Sequence, residues 1–132
     1  PWMTRQRWFA NKGADPVLEQ IGTVTLESVE PDVNAVTHFV LDHTVGKPAL
    51  YQVPLTYRHE PLVSSDALIG EFDGRWVYDA PYDSAYTGAL LDAITHGTES
   101  RGDHGKSCCR RPPVEGAHRR AVQHLHHLRA RG

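Results

Sequence analysis

The 132-residue sequence has only two cysteines, and they are adjacent, Cys108 and Cys109. Neighbouring cysteines rarely bridge each other, because the small ring strains the peptide bond. Two cysteines cannot build a disulfide framework either, so free thiols in a reducing compartment are expected. No apolar run approaches the roughly 18–20 residues that cross a bilayer, so no membrane span is expected. No basic stretch leads into an apolar one, so no secretory leader is visible and the cytoplasm is the expected location. No period of 20–50 residues repeats. The chain contains no Gly-x₄-Gly-Lys-Ser/Thr loop after a buried strand, and no catalytic Asp with partners at kinase spacing. On these grounds it is not expected to be an enzyme by itself.

What is present divides into two unequal parts. The net charge is −2. Residues 1–95 hold six Lys/Arg against thirteen Asp/Glu, or −7, and residues 96–132 hold eight against three, or +5. Six of the nine histidines fall in the second part. An acidic folded module, residues 1–96, is thus expected before a basic, His/Arg-rich tail, residues 97–132. The tail's basic residues are scattered without interleaved aromatics, so nucleic-acid binding is not expected. Its Arg-, Gly-, His- and Pro-rich composition points to poor order or to a shifted reading frame in a GC-rich gene.

Within residues 1–96 the pattern is mostly strands. A short N-terminal helix should end near Gly13, with Lys12 at its C-terminus and Trp8 and Phe9 turned inward. Val17–Val29 reads as a strand that slips near Gly22, a candidate bulge. Ala35–Val45 reads as a second strand, with Val36, His38, Val40 and Asp42 on one face and Phe39, Leu41 and His43 on the other. In Ala49–Arg58, Tyr51, Val53, Leu55 and Tyr57 alternate strictly. Pro54 cannot donate to a ladder, which predicts an edge strand or a bulge. Leu68–Phe72 and Arg75–Asp79 flank Asp73-Gly74, a favoured two-residue hairpin turn. A helix follows, capped by Asp83 or Ser84, buried along Tyr86, Ala89, Leu90, Ala93 and Ile94, and stopped at Gly97. The expected fold class is α+β: an antiparallel meander of about five strands packed on one long helix. A further short helix could form over Ala117–Leu128.

Candidate chemistry is sparse. His124, His126 and His127 with Cys108 and Cys109 lack the paired spacings of a zinc site, so no metal ligands are assigned. Gly102–Gly105 reads GDHG, and Gly97–Gly105 leads into Lys106-Ser107. Neither has the context of a catalytic or phosphate loop. Asp73, Asp79 and Asp83 could pair as acid and base, but each has a local structural role on offer: turn, link and cap. Trp8, Phe9, Trp76, Tyr78, Tyr82 and Tyr86 could stack on a sugar, although core packing explains aromatics of a small domain as well.

Three segments carry a resemblance. RQRWFANKG (Arg5–Gly13), ALYQVPLTYR (Ala49–Arg58) and LIGEFDGRWVYDAPYD (Leu68–Asp83) resemble, in order and spacing, elements of the N-terminal cap domain of actinobacterial maltokinases and related aminosugar kinases. The likeness runs over roughly residues 2–96. It implies a non-catalytic cap that scaffolds or modulates an ATP-binding kinase lobe, in cis or in trans, within α-glucan and trehalose metabolism. ATP and Mg²⁺ belong to that parent kinase, and no cofactor is expected in this chain. The implied interaction surface is Arg7, Trp8, Phe9, Lys12, Trp76, Tyr78 and Tyr82, with a kinase lobe and a sugar as partners. The alternative is a free-standing domain that binds a sugar or nucleotide.

Overall fold

Long alternating runs form the centre of an antiparallel sheet. A computed structural model describes residues 2–28, 30–63, 65–102 and the backbone of 105–108. The strands are β1 (Leu18–Leu26), β2 (Val33–Asp42), β3 (Ala49–Arg58), β4 (Leu68–Phe72), β5 (Arg75–Asp79), β6 (Glu99–Gly102) and β7 (Gly105–Cys108), with one helix, α1 (Ser84–His96). The sheet order is β4-β5-β3-β2-β1-β6-β7. This is an α+β fold, but not a simple meander. After β3 the chain crosses to the outer edge as β4 and returns as β5, which pairs with β3.

Several local expectations hold for physical reasons. The β1–β2 register slips between Gln20 and Gly22, leaving Ile21 as the extra residue of a bulge. Asp73 and Gly74 adopt φ 51° and 69°, the paired left-handed turn that matches strand twist. Gly97, at φ 64°, ends α1.

Others are corrected. β3 is an interior strand, and its ladder with β2 runs without a shift from Val33↔Arg58 to Asp42↔Ala49. Pro54 is tolerated because β5 pairs with β3 only from Leu55 to Arg58. At Pro54 that side of the strand needs no donor. The N-terminal helix contracts to a single 3₁₀ turn, Met3–Arg5, and Gly13 follows in a left-handed turn. The sheet also continues past Gly97, where apolar spacing is lost. β6 meets β1 at Val24↔Gly102. Only glycine fits there, because a Cβ on Gly102 would collide with the Thr23 carbonyl. The tail helix expected over Ala117–Leu128 lies outside the described residues.

Each face of the sheet is partly covered, by different means. On one face Met3, Phe9 and Val53 form a buried cluster, packed round by Trp2, Leu18, Val40, Tyr51 and Leu55. On the other lies α1. The buried helix positions are Ala85, Ala89 and Ala93. This stripe is rotated from the expected one: Tyr86 and Leu90 are half-buried, and Ile94 is 45% exposed. Beneath the start of the helix sit Ala35, Thr56, Tyr78 and Ala80, all buried.

A buried carboxylate joins that helix to the sheet. Asp83 caps α1, accepting the Ala85 amide at 2.9 Å. It also accepts Thr56 Oγ1 at 2.7 Å, and Arg58 Nε and Nη2 at 2.7 and 2.6 Å. Arg58 Nη1 donates onward to Glu30 at 3.1 Å. Burial pushes the Asp83 carboxyl up, but the donors from Arg58, Thr56 and Ala85 outweigh it and hold the group below its ordinary value.

Removing one partner leaves the other charge buried. Asp83→Ala should therefore cost about 3–5 kcal/mol in urea unfolding at pH 7. A depressed folded pKa stabilises above the unfolded value, about 3.9, and that share is lost as pH falls through the lower folded value. The wild-type chain should lose stability on acidification below about pH 4, and Asp83→Ala should lose less over the same range. Equal losses in the two proteins would contradict this assignment.

Candidate functional site

The residues singled out by sequence do not gather in one place. Arg7 and Lys12 are exposed, and Trp8 is 45% exposed. Trp8 packs edge-on against Trp2 at 6.0 Å and tilts against Tyr51 at 5.7 Å. It was expected inward with Phe9, but only Phe9 goes in. Phe9 stacks on Tyr51 at 5.5 Å and is 2% exposed, so it is a core residue and not a surface contact. Ala10 donates its amide to the Tyr51 hydroxyl at 3.2 Å, which fixes the segment on the sheet.

Trp76 and Tyr78 lie on the opposite face. Tyr78 is 1% exposed, and its hydroxyl accepts the Leu62 amide at 2.8 Å, anchoring the β3–β4 crossover. It too is structural. Trp76 is half-buried opposite Arg58 and Glu71. Tyr82 is 76% exposed just ahead of α1. The seven candidates therefore form no single patch: Trp8 and Phe9 pack on the face of Tyr51, Trp76 and Tyr78 lie on the other, and two of the seven are buried.

The acidic set also resolves into structural roles for two of its members. Asp73 forms the hairpin turn, and Asp83 forms the helix cap. Asp79 is half-buried, which raises its pKa, and its amide donates to the Ala67 carbonyl at 3.0 Å. Gly102 and Gly105 pair with each other across the β6–β7 hairpin. The intervening Asp103 and His104, and the residues Cys109, His124, His126 and His127, lie outside the described residues. Among the described residues, no group of three or more His, Cys, Asp or Glu is placed to hold a metal. No helix among them is long and apolar enough to cross a membrane.

Three features were missed by sequence reasoning. The first is the Arg58–Asp83 pair, which requires knowing that β3 and the start of α1 are neighbours. The second is a knot at the far end of β2. Asp42, 1% exposed, accepts Asn11 Nδ2 at 2.8 Å, the Thr44 amide at 2.9 Å and the Thr44 hydroxyl. The hydrogen bond from the Thr44 hydroxyl is the main cause holding this carboxyl below its ordinary value. The third is a polar triad within an apolar face. His38 Nδ1 lies 3.1 Å from Gln20 Oε1, and His38 Nε2 lies 2.9 Å from the Tyr57 hydroxyl. Burial lowers the His38 pKa and raises that of Tyr57. The alternation of Val36, His38 and Val40 hints that His38 faces the same side as Tyr57 but cannot show that they meet. His38 sits opposite Val53 and Tyr57 opposite Asn34, so the two side chains lean toward each other along the strands.

Two concavities flank these features. A groove of about 540 Å³ is floored by the triad and walled by Leu55, Val77 and Phe72. A cleft of similar volume separates the C-terminal half of α1 from β1 and β6, and Glu27, Asp92, His96 and Glu99 line it. Beyond them, α1 presents Leu91, 64% exposed, and Ile94, 45% exposed.

Residues 2–83 match the model of a domain family described as the maltokinase N-terminal cap domain. No curated protein matches the chain.

The two neighbouring aromatics separate core from surface. Phe9→Ala should cost about 3–5 kcal/mol. Trp8→Ala, which loses ring contacts but little burial, should cost about 1–2 kcal/mol. Urea titration followed by far-UV circular dichroism measures both, and equal costs would contradict the burial assigned here.

Proposed function

Because the chain belongs to the maltokinase N-terminal cap domain family, we propose that it is a non-catalytic cap that scaffolds or modulates an ATP-binding kinase lobe, joined in cis or met in trans. In this reading ATP and Mg²⁺ are bound by that lobe, and the pair works in the cytoplasm on α-glucan and trehalose metabolism. The observation that carries the proposal is the position of α1. The family match ends at Asp83, and the helix that starts at Ser84 turns Leu91 and Ile94 outward. Two large aliphatic side chains turned outward on a helix whose small residues face the sheet support the reading that a partner lobe covers this side. Tyr82, also exposed, precedes them.

The chemistry of the described residues supports the same reading. Asp83 is taken up by Arg58, Thr56 and the Ala85 amide, and Asp42 by Asn11 and Thr44. These groups spend their hydrogen-bonding capacity on the fold, which leaves the reactive steps to a separate lobe.

The test mixes the purified chain with the separately purified kinase lobe of a maltokinase. Calorimetry should show saturable association, weakened at least tenfold by Leu91→Asp with Ile94→Asp. The chain alone, given ATP, Mg²⁺ and maltose, should form no sugar phosphate. Sugar phosphate made by the chain alone, or association indifferent to the helix substitutions, would sink the proposal.

A further inference from the structure

The groove between β1, β2, β3 and the β4–β5 hairpin has features of a built site that the cap reading does not use. We infer that it binds a neutral sugar ring. The inference stands on the groove alone and is independent of any docking through α1.

The floor is directional. Gln20 Oε1 can only accept, so His38 Nδ1 must carry the proton that meets it. With that nitrogen protonated and the ring neutral, Nε2 is an acceptor, and the Tyr57 hydroxyl donates to it. This leaves the groove two complementary groups. The Gln20 carboxamide NH₂ has no hydrogen-bond partner among the described residues and can donate, while the Tyr57 oxygen keeps lone pairs that accept. A donor and an acceptor held in fixed relation by one imidazole suit neighbouring hydroxyls, each of which gives one hydrogen bond and takes another.

The walls complete the match. Leu55 and Val77 are apolar, and Phe72, 71% exposed, stands at the rim. A sugar ring presents hydroxyls at its edge and weakly positive C–H bonds on its face, and the latter suit the negative face of an aromatic ring. Among the described residues that line the groove there is no Lys or Arg, and the nearest on that face is Arg75, beside Phe72 at the rim. Glu71 borders it, but its register opposite Trp76 directs that side chain to the other face of the sheet. The volume, about 540 Å³, falls within the range of about 300–1,000 Å³ typical of small-molecule sites.

Gly70 makes the site testable. It lies opposite Val77 on the groove side, and a Cβ there would meet nothing within 4 Å. Its φ is outside the left-handed region, so a side chain is not strained. Gly70→Leu should therefore fill the groove and leave the fold intact. Tyr57→Phe removes the acceptor and keeps the ring.

The experiment titrates the full chain with glucose, galactose and maltose by calorimetry, with glucose 6-phosphate for comparison. At least one neutral sugar should bind saturably, and both Gly70→Leu and Tyr57→Phe should weaken it at least tenfold. Leu91→Asp should leave it unchanged, so that failure of the docking proposal and failure of this one can be told apart. Absence of saturable binding by all three neutral sugars would overturn the inference. So would binding that survives Gly70→Leu, or tighter binding of glucose 6-phosphate than of any neutral sugar.

Discussion

The Asp83 carboxylate is the joint on which one half of the molecule depends. Its four donors come from Thr56 near the end of β3, from the guanidinium of Arg58 two residues further on, and from the first turn of α1. Taking a carboxylate and a guanidinium out of water costs several kcal/mol each, and their attraction repays this only with good geometry. Here the arginine engages both oxygens, the threonine adds a neutral donor, and the helix N-terminus contributes an amide and a favourable dipole. The arrangement fixes where α1 begins and at what point it leaves the sheet.

That anchor governs how the helix packs. With its N-cap residue tied to β3, the helix lays Ala85, Ala89 and Ala93 along the sheet, residues small enough for the two backbones to approach closely. The larger aliphatic residues are then displaced to the flank and the outside. The opposite face is built on a contrary principle. There aromatic and sulfur-containing side chains of the N-terminal segment, Phe9 and Met3, fill the space above Val53, and the Asp42 knot holds the segment's far end. One sheet thus carries a thin polar-anchored layer on one side and a thick aromatic layer on the other.

The N-terminal segment leaves part of its face uncovered, and the polar triad lies in that gap. His38 and Tyr57 share that face with Val36, Val40, Val53, Leu55 and Val77. Both nitrogens of the half-buried imidazole are engaged, which offsets the cost of placing it there and fixes its orientation. The surface on α1 and the groove lie on opposite faces of the sheet, so occupying one leaves the other open.

Local chemistry alone determined a good deal. The bounds of β3, β4 and β5, the Asp-Gly turn, the glycine that ends α1 and the slip in β1 all follow from alternation and backbone preference, which act within a few residues. The order of the family motifs was legible for the same reason, since each motif is a contiguous string. Tertiary structure decided the rest. Whether Trp8 or Phe9 turns inward, which stripe of α1 is buried, and why Pro54 can sit in an interior strand depend on what lies alongside. So does the crossover that places β5, not β4, beside β3. Arg58 and Asp83 are 25 residues apart in the chain, and His38 and Tyr57 are 19 apart. No local preference encodes such pairs, because their energy exists only once the strands have brought the side chains within hydrogen-bonding distance.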